Sequence, residues 1–109
     1  MLYTEDDVYK FAINHELENE PGTNWVYSSG TSNILAGLIK EVIGDDVTYL
    51  NFYKKELFDK LGAPSMLLET DPAGTFIGSS YAWATPRDWA KYGLLYLNKG
   101  VINGEQILP

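Results

Sequence analysis

The stretch Pro21–Gly44, PGTNWVYSSGTSNILAGLIKEVIG, decides how this chain is read. A Pro-Gly turn leads into Trp25-Val26-Tyr27, then the small hydroxyl-rich run Ser28-Ser29-Gly30-Thr31-Ser32. Ile34, Leu35, Leu38, Ile39, Val42 and Ile43 follow at i, i+1, i+4, i+5 spacing, which predicts one wide apolar helix face turned inward. Gly44 stands where a left-handed residue ends a helix. Small hydroxyls beside a tyrosine, just ahead of a buried helix, cost free energy to bury unless they have partners. Two explanations fit. Tyr27 anchors a loop while Ser28 or Thr31 caps the helix, or a Tyr27 hydroxyl near a cation falls below its usual pKa of about 10 and takes a proton, with Ser29 holding a substrate or a lysine. Spacing alone favours the first.

Before this stretch, Thr4-Glu5-Asp6-Asp7 has the residues of a helix start, with Thr4 as cap and acids in the first turn. Val8, Phe11, Ala12 and His15 then predict a helix over roughly Glu5–Glu16. After it, a third helix is expected over roughly Thr48–Leu61, with Leu50, Tyr53, Leu57, Phe58 and Leu61 inward and Gly62-Ala63-Pro64 as its stop. Met66-Leu67-Leu68 reads as extended, and Asp71-Pro72-Ala73-Gly74 as a type I turn. Ile77–Ala84 mixes small and aromatic residues, as a loop or edge strand does. Thr85-Pro86-Arg87-Asp88 is a strong helix start, and Trp89, Ala90, Gly93, Leu94 and Leu97 are the expected inner face of the fourth helix. Asn103-Gly104 predicts a hairpin turn.

Composition narrows the function classes. At 109 residues, 45% apolar and 14% aromatic, the chain is at most one folded domain. A net charge of −7 with no Lys/Arg stripe argues against nucleic acid and against an anionic membrane surface. The absence of cysteine removes disulfides, thiolate metal sites and a cysteine nucleophile, and leaves the compartment open. No run is long enough to span a membrane, and MLYTEDDVYK has no signal-peptide pattern. His15, the single histidine, reads as a solvated helix-end residue, and no metal site is expected. Trp89 reads as core packing, while Tyr81 and Trp83 either pack or line a substrate cleft. Arg87 and Asp88 read as helix-start or structural residues without a catalytic role.

PGTNWVYSSGTSNILAGLIKEVIG resembles the second motif region of the serine β-lactamase and penicillin-binding-protein superfamily. It is most similar to the branch of AmpC-type β-lactamases, related esterases, D-aminopeptidases and 6-aminohexanoate-oligomer hydrolases, where Pro-Gly-Thr, an aromatic, Tyr-x-Ser or Tyr-x-Asn and a Leu-rich helix follow one another. SSYAWATPRDWAKYGLLYLNKGVINGEQILP and LFDKLGAPSM resemble later segments of the same branch, in the same order.

The resemblance implies an acyl-enzyme mechanism, in which the serine of a Ser-x-x-Lys motif attacks a carbonyl and the lysine and tyrosine move the proton. Tyr27 matches that tyrosine and Ser29 the Ser/Asn two positions on, which makes both candidate catalytic residues; Tyr81 and Trp83 are candidate substrate contacts. No serine of the chain is followed three residues later by lysine, and Lys-Thr-Gly and His-x-Gly are absent. The nucleophile is therefore expected before Met1 and the third motif after Pro109, with residues 1–109 an internal, single partial domain inactive alone. The expected fold is mainly α: about four helices with short strands, the helical lobe of an α+β β-lactamase-like parent. Expected substrates are small esters, amides or lactams, a cell-wall D,D-peptide included, with no cofactor. Ser29 in place of asparagine tilts the parent towards esterase, amidase or peptidase use. The competing expectation is a non-catalytic helical interaction module.

Overall fold

The computed structural model describes residues 1–109 and is mainly helical, with four helices and short strands. The chain gathers into two compact units, Met1–Gly44 with Glu69–Tyr81, and Asp45–Leu68 with Ala82–Pro109.

In the first unit, α1 (Val8–Ile13) packs on α2 (Ser29–Ile43). The first helix is shorter than the spacing predicts, and its cap is Asp7, whose side chain accepts from the Lys10 N–H, not Thr4. The reason is tertiary. Buried Asp71 accepts the Val8 N–H at 2.9 Å, fixing the first free amide of the helix at Val8. The other Asp71 oxygen accepts from the Thr75 N–H at 2.8 Å, and the Gly74 N–H donates to the Asp71 carbonyl, closing the expected turn.

α2 begins and ends as its sequence dictates, capped by Ser28 and terminated by Gly44 at φ 76°. Its packed face differs from the apolar pattern. Asn33, Ala36 and Gly37 are buried, whereas Leu35 (58%), Leu38 (44%) and Val42 (86%) stand exposed. Close approach selects the small residues: a Cβ on Gly37 would lie 2.1 Å from Cγ of the Tyr9 ring, so only glycine lets α1 settle there. The Tyr9 hydroxyl then donates to Glu41 at 2.8 Å across the two helices. Val8, Ala12, Ala36, Phe76 and Ile77 are the buried apolar residues of this unit.

In the second unit, α3 runs as an α-helix over Asp46–Tyr53, widens into a π turn over Lys54–Phe58, and closes with Asp59–Leu61. Asp45 caps its start, and Gly62, left-handed at φ 60°, ends it. Tyr49 is fully buried, while Leu50, expected inside, is half exposed. β1 (Leu67–Leu68) pairs antiparallel with β2 (Ala82–Trp83), Leu67 opposite Trp83.

α4 (Pro86–Leu97) starts with Thr85 as cap and Pro86 in its first turn. Its buried residues are Asp88 and Leu95, so Trp89, Leu94 and Leu97, expected inside, are 40%, 47% and 76% exposed. The face is chosen by Asp88, which accepts from the Ser65 N–H (2.9 Å), the Ser65 hydroxyl (2.6 Å) and the Lys91 ammonium (2.7 Å). Lys91 also donates to the Gly62 carbonyl, so one buried carboxylate ties the end of α3 to α4. Leu95 then meets Leu61 and Ala63, flanked by Leu57, Met66, Tyr92 and Ile107. β3 (Val101–Ile102) and β4 (Glu105–Gln106) form the expected hairpin, with Asn103 and Gly104 both at positive φ, as a type I′ turn needs.

Candidate functional site

Tyr27 leaves the extended segment directly ahead of α2 and is 89% exposed, its hydroxyl presented to solvent. The extended backbone of Ser28, with φ −133° and ψ 127°, turns the chain into the helix. Ser29 is therefore the first helical residue, half-buried. The Tyr-x-Ser spacing thus places an exposed phenol and a first-turn hydroxyl on either side of a capping serine, where free N–H groups of the helix start also lie.

One residue that sequence reasoning passed over organises this end of α2. Asn33, 1% exposed, donates from Nδ2 to the Ser29 carbonyl at 2.8 Å and to the Ser79 hydroxyl at 3.1 Å. Its Oδ1 accepts the Gly78 N–H at 3.0 Å. Gly78 lies so close to α2 that a Cβ there would sit 2.7 Å from the Ser32 carbonyl oxygen and 3.1 Å from Ala36 Cβ. In the sequence Asn33 is simply the last polar residue before the apolar run opens at Ile34, which gives no advance signal of this role.

Glu69–Tyr81 returns on itself as a closed loop. The Glu69 N–H donates to the Tyr81 carbonyl and the Ile77 N–H to the Glu69 carbonyl, while Thr70 bridges to Phe76. Lys40 of α2 donates to the Ala73 carbonyl at 2.7 Å, and the Ala73 N–H donates to the carbonyl of Asp6, just ahead of the α1 cap, so α2 and the approach to α1 both hold the loop. At its end Tyr81 occupies the left-handed region at φ 60°, uncommon for a bulky side chain and a conformation that the surroundings must enforce. Its ring meets Tyr3 edge-on at 6.3 Å between centroids. The hydrogen bond with Tyr3, then desolvation, pushes the Tyr81 hydroxyl above the ordinary tyrosine range.

Of the four expected site residues, Tyr27, Ser29 and Tyr81 belong to the first unit. Ser29 and the 77–81 loop are fastened through Asn33, and Tyr27 lies two residues ahead of Ser29. Trp83 is half exposed on β2 of the second unit. An open depression along α1, lined by Glu5, Asp7, Lys10, Asn14 and His15 among others, contains none of the four. There His15 stacks edge-on against Phe11 at 5.4 Å.

The family model described as Beta-lactamase matches residues 2–109, and the chain belongs to that family. Membership places its chemistry in the serine-hydrolase class, with small-molecule substrates. No curated protein matches the chain. No helix is long and apolar enough to cross a membrane.

Proposed function

We propose that the chain carries the tyrosine-bearing third of an acyl-enzyme hydrolase site, in the branch of AmpC-type β-lactamases, related esterases and 6-aminohexanoate-oligomer hydrolases. The observation that carries this reading is the presentation of Tyr27, 89% exposed immediately ahead of the first turn that holds Ser29. Residues 1–109 are then one partial domain of the enzyme. The Ser-x-x-Lys motif precedes Met1 and the third motif follows Pro109. The nucleophilic serine oxygen bonds to the carbonyl carbon of an ester, amide or lactam, and its proton passes through the tyrosine–lysine pair to the departing alcohol or amine. Water then splits the acyl-enzyme and releases the acid. Tyr27 acts as the general base, paired with the lysine of the Ser-x-x-Lys motif in moving the proton. Ser29 belongs to the hydrogen-bond network around that proton, and Tyr81 and Trp83 contact the substrate.

The test uses the full-length protein with p-nitrophenyl acetate and a chromogenic β-lactam. Tyr27→Phe lowers kcat by about 10²- to 10⁴-fold, the range of general acid–base catalysis; undiminished activity in that variant removes Tyr27 from the mechanism. The 109-residue chain by itself turns over neither substrate, and steady hydrolysis by the purified chain would contradict the division of the site. One observation favours a second reading, a non-catalytic helical interaction module: the stripe Leu35, Leu38 and Val42 lies open on α2. A parent reading frame without Ser-x-x-Lys decides for the module.

A further inference from the structure

We propose that Asn33 is the positioning residue of this site, holding the first turn of α2 at a fixed distance from the loop that ends in Tyr81. The inference rests on the reading of Tyr27, Ser29 and Tyr81 given above, and adds a residue that touches neither substrate nor reacting atoms.

A primary amide offers two N–H donors and one carbonyl oxygen on a planar frame. Asn33 uses both kinds of group at once: Nδ2 donates to the Ser29 carbonyl (2.8 Å) and to the Ser79 hydroxyl (3.1 Å), and Oδ1 accepts from Gly78 N–H (3.0 Å). The partners fix its orientation, because the Ser29 carbonyl can only accept and the Gly78 N–H can only donate. At 1% exposure, water has no route to replace these bonds, so a missing one leaves a buried polar group unsatisfied. Two of the bonds go to the loop and one to the first turn of α2, four residues before Asn33 itself. Gly78 completes the fit, because its missing side chain lets the loop backbone reach the helix. No isostere repeats the pattern. An aspartate would set a carboxylate oxygen against the Ser29 carbonyl and lose both donors, and a leucine would strand the Gly78 N–H.

The consequence is geometric. Tyr81 lies three residues beyond Gly78 in a left-handed conformation, and Tyr27 lies two residues before Ser29. Freeing the amide clamp lets the loop drift from the helix start, and a misplacement of about 1 Å at a reacting centre is enough to cost up to about a hundredfold in rate.

Two arms test the proposal separately from the function it rests on. In the 109-residue chain, amide hydrogen exchange followed by NMR reads the clamp directly. Asn33→Ala raises the exchange rate at Gly78 at least tenfold, while amides in the middle of α2 change little. Gly78 exchange that stays at the wild-type rate overturns the proposal whatever the enzyme does. In the full-length protein, Asn33→Ala and Gly78→Ala each lower kcat for p-nitrophenyl acetate at least tenfold, and the double variant loses little more than either alone, because both release one link. Leu95→Ala, which loosens the other unit, keeps its wild-type kcat per folded molecule. Folded Asn33→Ala with kcat within twofold of wild type overturns the positioning role. If Asn33→Ala fails to fold, Ser79→Ala, which removes one of the three bonds, carries the same comparison, and an unchanged kcat in it counts against the role. Should the wild-type full-length protein hydrolyse neither ester nor lactam, the functional reading fails, and the exchange arm still decides whether the clamp exists.

Discussion

Glycine at 37 and glycine at 93 both sit inside helices, and the structure gives Gly→Ala opposite signs at the two. Alanine in a helix interior gains about 0.5–1 kcal/mol over glycine through backbone entropy and propensity. At Gly93 nothing lies within 4 Å of the added Cβ, so that gain is realised in full. At Gly37 the Cβ would meet three ring carbons of Tyr9, at 2.1, 2.2 and 2.6 Å, where ordinary contact begins at 3.4 Å. The obstacle is the root of the ring, so a rotamer change at its far end does not clear it. α1 must retreat by roughly 1 Å or Tyr9 must leave the interface, and either also separates its hydroxyl from Glu41. Overpacking of this kind costs about 1–3 kcal/mol, and with three atoms involved the upper end applies. Less the propensity gain, Gly37→Ala destabilises by about 2 kcal/mol. The two variants then differ by about 3 kcal/mol, or roughly 10 °C or more in Tm for a chain of this size. Thermal and urea unfolding followed by far-ultraviolet circular dichroism measures both. Tyr9→Ala in the Gly37→Ala background recovers part of the loss, since the clashing ring is gone. A Gly37→Ala variant as stable as wild type, with no coupling to Tyr9, would refute the packing of α1 on α2 described here.

Other expectations follow from single residues. Leu95, 0% exposed against Leu61 and Ala63, loses about 2–5 kcal/mol on replacement by alanine, measurable as a lower urea midpoint with a similar slope. Asp88 is held at about 2 by Lys91 first and then by Ser65, below the 3.8 of a free carboxyl. Its ionised form thus contributes stability in full above about pH 4, and that contribution disappears as pH falls from 4 towards 2. The Tm of the wild-type chain drops across this window more steeply than that of Asp88→Asn, and parallel profiles would count against the carboxylate network. Gly100→Ala sets a Cβ 2.4 Å from the Leu108 carbonyl oxygen at a φ of +80°, so the hairpin next to it exchanges its amides faster.

How much of this was legible in the sequence depended on whether the deciding interaction was local. Thr85-Pro86-Arg87-Asp88 announced α4, Gly44 and Gly62 announced helix ends, and Asn103-Gly104 announced its turn, because each acts through its own backbone. The buried faces of α2 and α4 differ from the ones their apolar spacing predicts. On α2 a tyrosine ring 28 residues earlier claims Gly37, and on α4 a carboxylate reaching back to Ser65 claims Asp88. Neither partner is visible in a local window. The start of α1 moved from Thr4 to Asp7 for the same reason, with Asp71 supplying what the threonine was expected to. At the candidate site, Tyr27 and Ser29 were legible as residue types and Asn33 was not, since its role exists only once the 77–81 loop has returned to α2.

The π turn in α3 works as a phase correction. Tyr49 and Leu61, twelve residues apart and both buried, would lie about 120° apart around a regular helix at 100° per residue. The wide turn over Lys54–Phe58 absorbs one surplus residue, which reduces that angle to about 20° and returns both side chains to one face. The helix therefore counts as one residue shorter than it is. Removing a single residue from Lys54–Phe58 would straighten it into an ordinary α-helix with that alignment retained, whereas the same deletion between Tyr49 and Tyr53, with the π turn intact, would rotate Leu61 away from Tyr49 by about one residue's 100°.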